Sequence, residues 1–217
     1  MQNDDVKWYY EILSNRRGSL VVKRLFDIVL SSIFIICFGW ISLALWIVVR
    51  MDSPGGAFFK QQRVTKDGKV FEILKFRTMV LDADKKGSGV TLENDPRITR
   101  AGKWLRKYRL DEIPQIFNIL KGELSFVGVR PESVKYVKRY TPKMYATLLL
   151  PAGVTSLTSI LYKDESKLLK SSENPDETYI REILPNKMKY NLEYIEKFGF
   201  WYDIKIMFKT VIAVIKK

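Results

Sequence analysis

The 217-residue sequence contains no histidine and a single cysteine, Cys37. The lack of histidine excludes Ser-His and Cys-His nucleophile systems and metal sites built on imidazole. One cysteine cannot form a disulfide or a thiolate metal site within the chain. A reducing compartment is therefore the simpler expectation.

Charged residues are missing from the segment 28–49, which is rich in Ile, Leu, Val, Phe and Trp. As a continuous helix rising about 1.5 Å per residue, this segment is long enough to cross the hydrocarbon core of a membrane. It is too long for a signal peptide, and no small-x-small cleavage site follows it closely. The segment predicts a membrane helix, with a buried core helix as the alternative.

Basic residues flank both ends of this segment, with Lys23 and Arg24 before it and Arg50 and Lys60 after it. The positive-inside tendency therefore gives no clear direction. A helix that enters, turns and leaves on the same face of the membrane satisfies both flanks, and Gly39 is the residue best suited to such a break. A single-pass helix is the other interpretation.

Positive charge is in excess, because 37 Lys and Arg residues outnumber 24 Asp and Glu residues and give a formal net charge of +13. This excess indicates a polyanionic partner, meaning anionic lipid headgroups, nucleic acid or phosphate-bearing substrates. The length suits one soluble domain with one membrane element. We predict a polar and aromatic lead-in at 1–25, a membrane helix at 26–50 and a cytoplasmic catalytic domain at 51–217.

Strand and turn signals follow the membrane segment. Phe58–Val64 and Val70–Met79 predict two strands joined by a hairpin turn at Lys66–Lys69. Lys75 and Arg77 lie two positions apart on the second strand, so they should share one face. The remaining polar stretches predict loops at 82–97 and 163–178 and a turn at Pro151–Thr155.

The last residues of the chain predict an amphipathic, lysine-rich helix. The spacing of its apolar residues suits either a helix that lies at the membrane interface or one that packs against a protein core. Together these segments predict an α+β fold, mostly helical, in which an N-terminal membrane helix, a short β-hairpin and amphipathic interfacial helices surround a cytoplasmic active site. The apolar face of the last helix holds Ile204, Met207, Phe208, Val211, Ile212 and Ile215.

The stretch 103–122 carries the residues best suited to chemistry, the adjacent carboxylates Asp111 and Glu112. Pro114 is tolerated only in the first turn of a helix and Gly122 suits its end, so we predict a helix that begins near Asp111. The N–H groups and the macrodipole at a helix N-terminus favour a carboxylate or a substrate phosphate. A structural cap and a catalytic pair look alike here, because Asp is a preferred N-cap residue.

Several motifs occur together and in order, and as a set they resemble the bacterial sugar transferases, the small monotopic polyprenol-phosphate phosphoglycosyltransferases, over residues 22–217. Two departures stand out: Gly39-Trp40 lies where related proteins often carry Ser-Pro, and Pro151–Ser156 loses an Arg of the usual pattern. The motifs are Lys23-Arg-Leu-Phe-Asp27, Phe59-Lys-Gln-Gln-Arg63, Lys75-Phe-Arg-Thr-Met79, Asn94-Asp-Pro-Arg97, the stretches 106–115 and 120–128, Arg130-Pro131 and Asp203-Ile-Lys-Ile-Met207.

This resemblance implies the transfer of a sugar 1-phosphate from a UDP-sugar to undecaprenyl or another polyprenyl phosphate. The products would be UMP and a polyprenyl-diphosphate-linked sugar, which initiates a capsule, exopolysaccharide, O-antigen or glycoprotein glycan. The resemblance assigns Asp111 as the nucleophile that forms a phosphosugar-enzyme intermediate and Glu112 as its assistant. Mg²⁺ is the implied cofactor, with both carboxylates as its ligands.

The residues make physical sense of this scheme. A carboxylate can accept a phosphoryl group, and Mg²⁺ is commonly held by one or two carboxylates plus substrate phosphates. Negative charge on the phosphoryl oxygens must be offset by basic side chains. Asp203 matches a functionally important position of the family and would orient Lys75 or the metal. The predicted substrate-binding and phosphate-binding residues are Lys75, Arg77, Arg106, Arg130 and Asp203.

The expected location is the bacterial inner membrane, with the catalytic domain on its cytoplasmic face. The expected partners are the UDP-sugar, the polyprenyl phosphate and membrane lipid, without nucleic acid, and a homodimer is left open. The alternative is a non-catalytic, membrane-tethered basic protein that binds anionic lipid or nucleic acid.

Overall fold

The computed structural model describes residues 4–83, 95–162 and 174–215, and it confirms the predicted α+β, mostly helical class. The sequence predicts two loops, at 82–97 and at 163–178, and most of each lies outside the described residues. Asn94, Lys216 and Lys217 also lie outside them. The helices are α1 Asp4–Ser14, α2 Arg17–Asp52, α3 Arg100–Lys107, α4 Gln115–Lys121, α5 Val134–Val137, α6 Leu157–Leu161, α7 Pro175–Thr178, α8 Leu184–Glu196 and α9 Phe200–Ile215. The strands are β1 Phe58–Val64, β2 Val70–Phe76, β3 Leu124–Val127 and β4 Ala152–Thr155.

β1 and β2 form the predicted antiparallel hairpin. The 3₁₀ turn between them holds Asp67 at φ 58° and ψ 21°, a left-handed conformation that Asp tolerates better than most residues. Phe71 and Ile73 of β2 are buried in a cluster that includes residues of α4 and β3. Because side chains alternate along a strand, Lys75 lies on the same face as these two residues. The hairpin therefore brings Lys75 towards α4.

β3 and β4 form a parallel pair, in the register Leu124↔Ala152. The backbones of the two segments approach closely, since a Cβ atom at Gly153 would lie 2.1 Å from the backbone nitrogen of Gly128. The predicted turn at Pro151–Thr155 is therefore wrong. A parallel strand of this length obtains its hydrogen bonds from a partner distant in sequence, which local turn signals do not reveal.

α2 is a continuous helix of 36 residues, long and apolar enough to cross a membrane. Near its start, Lys23, Asp27 and Ser31 are buried against the rest of the protein. Near its end, Leu45 and Val49 are buried in a cluster with residues of β2 and α3. Both ends contact the same folded body, but α2 does not turn back on itself, so the choice between the same-face and the single-pass helix stays a prediction.

The opposite face of α2 is exposed and apolar along its length. Gly39 lies within the continuous helix, and a Cβ atom built there would have no neighbour within 4 Å. The helix thus reaches both contact regions without a break at Gly39. Its exposed large apolar residues include Val21, Leu25, Val29, Ile33, Ile36, Trp40, Leu43, Ile47 and Met51.

The two terminal helices differ in how they use their apolar residues. α1 buries Val6, Tyr9 and Leu13 in a core cluster shared with α8 and α9. In α9, by contrast, Phe208 is 66% exposed, and Val211 and Ile212 are also exposed. The predicted apolar face of the last helix therefore points largely away from the protein core.

Candidate active site

Asp111 and Glu112 lie in the 3₁₀ turn Leu110–Glu112, which precedes α4. α4 begins at Gln115 with Pro114 at its N-cap position, so the predicted helix start near Asp111 is wrong by one turn. Pro114 has no N–H group to donate, and the preceding turn closes through a 3₁₀-type hydrogen bond from the Ile113 nitrogen to the Leu110 oxygen. Gly122 ends α4 in a left-handed conformation, as predicted.

Three cations from different parts of the chain converge on Glu112. Its Oε1 atom lies 3.3 Å from Lys75 Nζ, 3.8 Å from an Arg109 Nη atom and 3.9 Å from an Arg130 Nη atom. Burial alone would raise the pKa of Glu112, but the charges of Lys75, Arg130 and Arg109 outweigh that effect and lower the pKa. Glu112 is therefore a stable anion at neutral pH.

Asp111 has a buried oxygen without a hydrogen-bond partner in the part of the chain that the structure describes. Its residue is 8% exposed, and among the described residues no group donates a hydrogen bond to its buried Oδ1 atom. Burial raises the pKa of Asp111, and the negative charge of Glu112 raises it further, against the charges of Lys75, Arg106 and Arg109. A buried oxygen without a partner reduces stability, so it marks a candidate nucleophile or metal ligand.

The structure brings Lys75, Arg106 and Arg130 around the two carboxylates. Burial lowers the pKa of Lys75, although the charge of Glu112 opposes this shift. Arg106 Nε donates to Thr78 Oγ1 at 2.8 Å, and its charge acts on Asp111. These three residues belong to the predicted phosphate-binding set, and their positions suit that role.

The prediction that Lys75 and Arg77 share one face of the second strand is wrong, because β2 ends at Phe76, between the two residues. The Arg77 guanidinium donates to the backbone oxygens of Pro54 and Ser53 at 2.7 and 2.8 Å, just after the end of α2. These bonds fix the chain that leaves α2. Phosphate binding by Arg77 stays a prediction that these contacts do not favour.

Asp203 lies in a buried cluster between α2 and α9. Its Oδ2 atom accepts a hydrogen bond from Lys23 Nζ at 2.6 Å, and its Oδ1 atom accepts one from the Tyr194 hydroxyl at 2.8 Å. The expected partner Lys75 is instead paired with Glu112. A role for Asp203 in substrate binding therefore also stays a prediction.

Sequence reasoning missed two cations, Arg63 and Arg109. Arg63 pairs across the hairpin with a residue on the same face as Lys75, and an Nη atom donates to the Pro131 oxygen at 3.4 Å. Strand alternation could have placed Arg63 on the same face of the hairpin as Lys75. No local pattern indicates that Arg109 would turn back onto Glu112.

A cavity of about 920 Å³ extends from Glu112, the neighbour of Asp111 in the chain, to the long apolar helix. Its lining combines the charged residues Arg109, Glu112 and Arg130 with Phe34 and Phe38 of α2. A ligand with a phosphate group and an apolar chain could place both parts in such a space.

The carboxylate pair also fits a magnesium ion. No cluster of three or more candidate ligands occurs in the described parts of the chain. Mg²⁺ does not need one, because it is usually bound by one or two carboxylates plus substrate phosphates and water. The unpaired Oδ1 of Asp111 and the adjacent Glu112 supply such a pair.

The chain belongs to the bacterial sugar transferase family, whose family model matches residues 18–217. This match confirms the resemblance found in the sequence motifs. α1 lies before the matched region.

Individual relatives name the chemistry of this family more closely. The chain is 32% identical over 212 residues to UDP-N-acetylgalactosamine-undecaprenyl-phosphate N-acetylgalactosaminephosphotransferase of Aeromonas hydrophila, covering 93% of this chain and 47% of that protein. It is 34% identical over 196 residues to UDP-glucose:undecaprenyl-phosphate glucose-1-phosphate transferase of Escherichia coli K12, covering 88% and 39%. An uncharacterized sugar transferase, EpsL, of Bacillus subtilis is 33% identical over 196 residues, covering 90% and 88%. The chain thus spans less than half of the first two relatives and most of the third.

Proposed function

We propose that the protein transfers a sugar 1-phosphate from a UDP-sugar to undecaprenyl or another polyprenyl phosphate, giving UMP and a polyprenyl-diphosphate-linked sugar. The observation that carries this proposal is the unpaired oxygen of Asp111 beside the ion-paired Glu112, at a cavity shared with α2. The names of the two curated transferases support the donor and acceptor classes. The product would initiate the assembly of a surface glycan.

The proposed reaction has two displacement steps at one phosphorus atom. Asp111 attacks the β-phosphorus of the UDP-sugar, the bond from this phosphorus to the bridging oxygen breaks, and UMP leaves with the electron pair. An oxygen of the polyprenyl phosphate then attacks the same phosphorus, and the bond to Asp111 breaks and restores the carboxylate. Neither step requires a proton transfer, which suits a chain without histidine.

Glu112 and the cations around it have a common role in this scheme. Glu112 holds Lys75 and Arg130 next to the nucleophile, where their charges offset those of the substrate phosphates. Asp111 and Glu112 would hold Mg²⁺, which supplies further charge compensation to the phosphoryl oxygens when bound. The protein contributes mainly position and electrostatics, as is general in phosphoryl transfer.

The proposed location is the cytoplasmic face of the bacterial inner membrane. α2 would enter the lipid with its exposed apolar face, while both of its ends stay with the catalytic body. The exposed Phe208, Val211 and Ile212 of α9 offer a second apolar contact. This arrangement would bring a dissolved sugar nucleotide and a lipid phosphate to one carboxylate.

Intact-protein mass spectrometry tests the covalent step directly. The protein in lipid nanodiscs with Mg²⁺ should gain one phosphosugar from the correct UDP-sugar and release one equivalent of UMP without acceptor. Peptide mapping should place the adduct on Asp111, and undecaprenyl phosphate should discharge it. Asp176→Asn, which alters an exposed ion pair with Lys135, is the matched control and should form the adduct normally. An adduct on another residue would overturn the nucleophile assignment, and turnover without any adduct would exclude the two-step scheme.

A further inference from the structure

Arg109 adopts a backbone conformation that few arginines adopt. It lies at φ 58° and ψ 21°, in the left-handed region, where a side chain with a Cβ atom carries a steric cost that glycine avoids. This conformation turns the chain from α3 into the 3₁₀ turn with Asp111 and Glu112. Unusual backbone conformations cluster at functional sites, where the side chain or the turn is required.

The contact between Arg109 and Glu112 does not explain why an arginine occupies this position. The Arg109 side chain is 51% exposed and 3.8 Å from the carboxylate, and ion pairs of this kind add little stability. Lys75 and Arg130, with side chains 22% and 38% exposed, already neutralise Glu112. Arg109 is therefore the most accessible of the three cations around Glu112.

The surroundings of Arg109 indicate which ligand would reach it. Arg109 lines the cavity together with Phe34 and Phe38 of α2 and with Tyr108 and Phe117. Tyr108 is 54% and Phe117 42% exposed. Exposed aromatic residues beside basic residues suit the membrane interface. A phosphate that enters along these apolar side chains would carry a lipid chain.

We propose that Arg109 binds the phosphate monoester of the lipid acceptor and brings it to the phosphosugar on Asp111; the choice of acceptor rests on the function proposed above. A guanidinium can form two parallel hydrogen bonds with a phosphate, and these would replace the loose contact with Glu112. The positive charge would also offset the repulsion between the incoming phosphate and the two carboxylates. Arg109 would thus act in the second displacement more than in the first.

Arg109→Gly removes the guanidinium while fitting the left-handed backbone. The matched control is Asp67→Gly, because Asp67 has the same φ of 58° and ψ of 21° in the exposed hairpin turn. Both variants should melt within about 3 °C of the wild type, since relief of the steric cost offsets the flexibility of glycine. Arg109→Gly should keep the UMP burst without acceptor but raise the acceptor KM at least about tenfold, the loss of one good charged contact. Asp67→Gly should leave both steps unchanged, and Arg109→Lys should recover part of the acceptor affinity.

Binding in nanodiscs separates this proposal from the reaction itself. The wild type should bind undecaprenyl phosphate more tightly than undecaprenol, and Arg109→Gly should lose most of that preference. An unchanged preference or acceptor KM in Arg109→Gly would overturn the proposal, as would loss of the burst to the same extent as turnover. If the wild type consumed no UDP-sugar, the proposed function would fail, and the two binding measurements would still decide the role of Arg109.

Discussion

Asp111 and Asp203 are both buried carboxylates next to a basic side chain, and they differ in how many of their oxygens accept hydrogen bonds. Both oxygens of Asp203 accept hydrogen bonds, one from Tyr194 and one from Lys23, and the cluster joins α2 to α9. Asp111 leaves its Oδ1 atom without a donor among the described residues and lies next to a cavity-lining carboxylate, Glu112. Burial raises the pKa of both carboxyls, so the pKa direction does not tell them apart. Their hydrogen bonds do differ: they favour a structural role for Asp203 and support the proposed reactivity of Asp111.

Asp111→Asn should have the largest effect on activity. Transfer should fall by about a thousandfold or more, since an amide cannot act as the nucleophile. Stability should stay equal or rise, because the change removes a charge next to Glu112 and an unsatisfied anion. UMP release and urea unfolding measure the two quantities. A variant that kept a tenth of its turnover would show that another group attacks the phosphorus.

Asp203→Ala should have the opposite signature, a large loss of stability. It removes the hydrogen-bonded carboxylate from Lys23, which is buried at 5% exposure and keeps the charge of Asp27 nearby; breaking a buried ion pair typically costs about 3–5 kcal/mol. The double variant Lys23→Met, Asp203→Leu should recover part of this loss, because Asp27 loses the charge of Lys23 at the same time, and it should keep its turnover per folded molecule. Urea unfolding measures the recovery. If the double variant folds but transfers no sugar, Asp203 acts on the substrate as the family resemblance implies, and the comparison drawn above is wrong.

The features that could be predicted from the sequence were those that depend on residues close together in the chain. The uncharged apolar run of α2, the hairpin around Asp67-Gly68 and the end of α4 at Gly122 each depend on neighbouring residues. The ordered motifs also gave the family and the carboxylate pair.

Features that depend on distant contacts could not be predicted. Lys23 and Asp203 are 180 positions apart, and β4 forms only by pairing with β3. Lys75 and Arg77 are only two positions apart, but β2 ends between them. Lys75 contacts Glu112, whereas Arg77 contacts the segment that follows α2. The left-handed Arg109 has no sequence signal at all, since glycine or asparagine would be the expected residue there.

The UMP burst and the free energy of unfolding should depend on pH in opposite directions if both are governed by the ionisation of Asp111. The attacking carboxylate must be ionised, so the UMP burst should fall as the pH drops through a pKa above that of a free aspartate. Stability should change in the other direction: the contribution of a group with a raised pKa is full below its unfolded pKa and is lost as the pH rises through the folded pKa. Arg106→Gln removes a charge that lowers this pKa and should move the acid limb of the burst to higher pH. An acid limb that stays in place would mean that Asp111 does not control it.

Gly39→Ala should have the smallest effect, and it tests whether α2 stays continuous in lipid. The added methyl group meets no neighbour within 4 Å, and alanine stabilises a helix interior by about 0.5–1 kcal/mol relative to glycine. The variant should melt slightly higher and turn over at the wild-type rate, whereas the reverse change at the exposed Ala44, Ala44→Gly, should melt lower. Normal stability with reduced turnover in Gly39→Ala would instead indicate a functional bend at Gly39. In that case the helix would need flexibility where it lines the cavity, and the acceptor would reach Asp111 past a moving segment, since Gly39 is itself part of that lining.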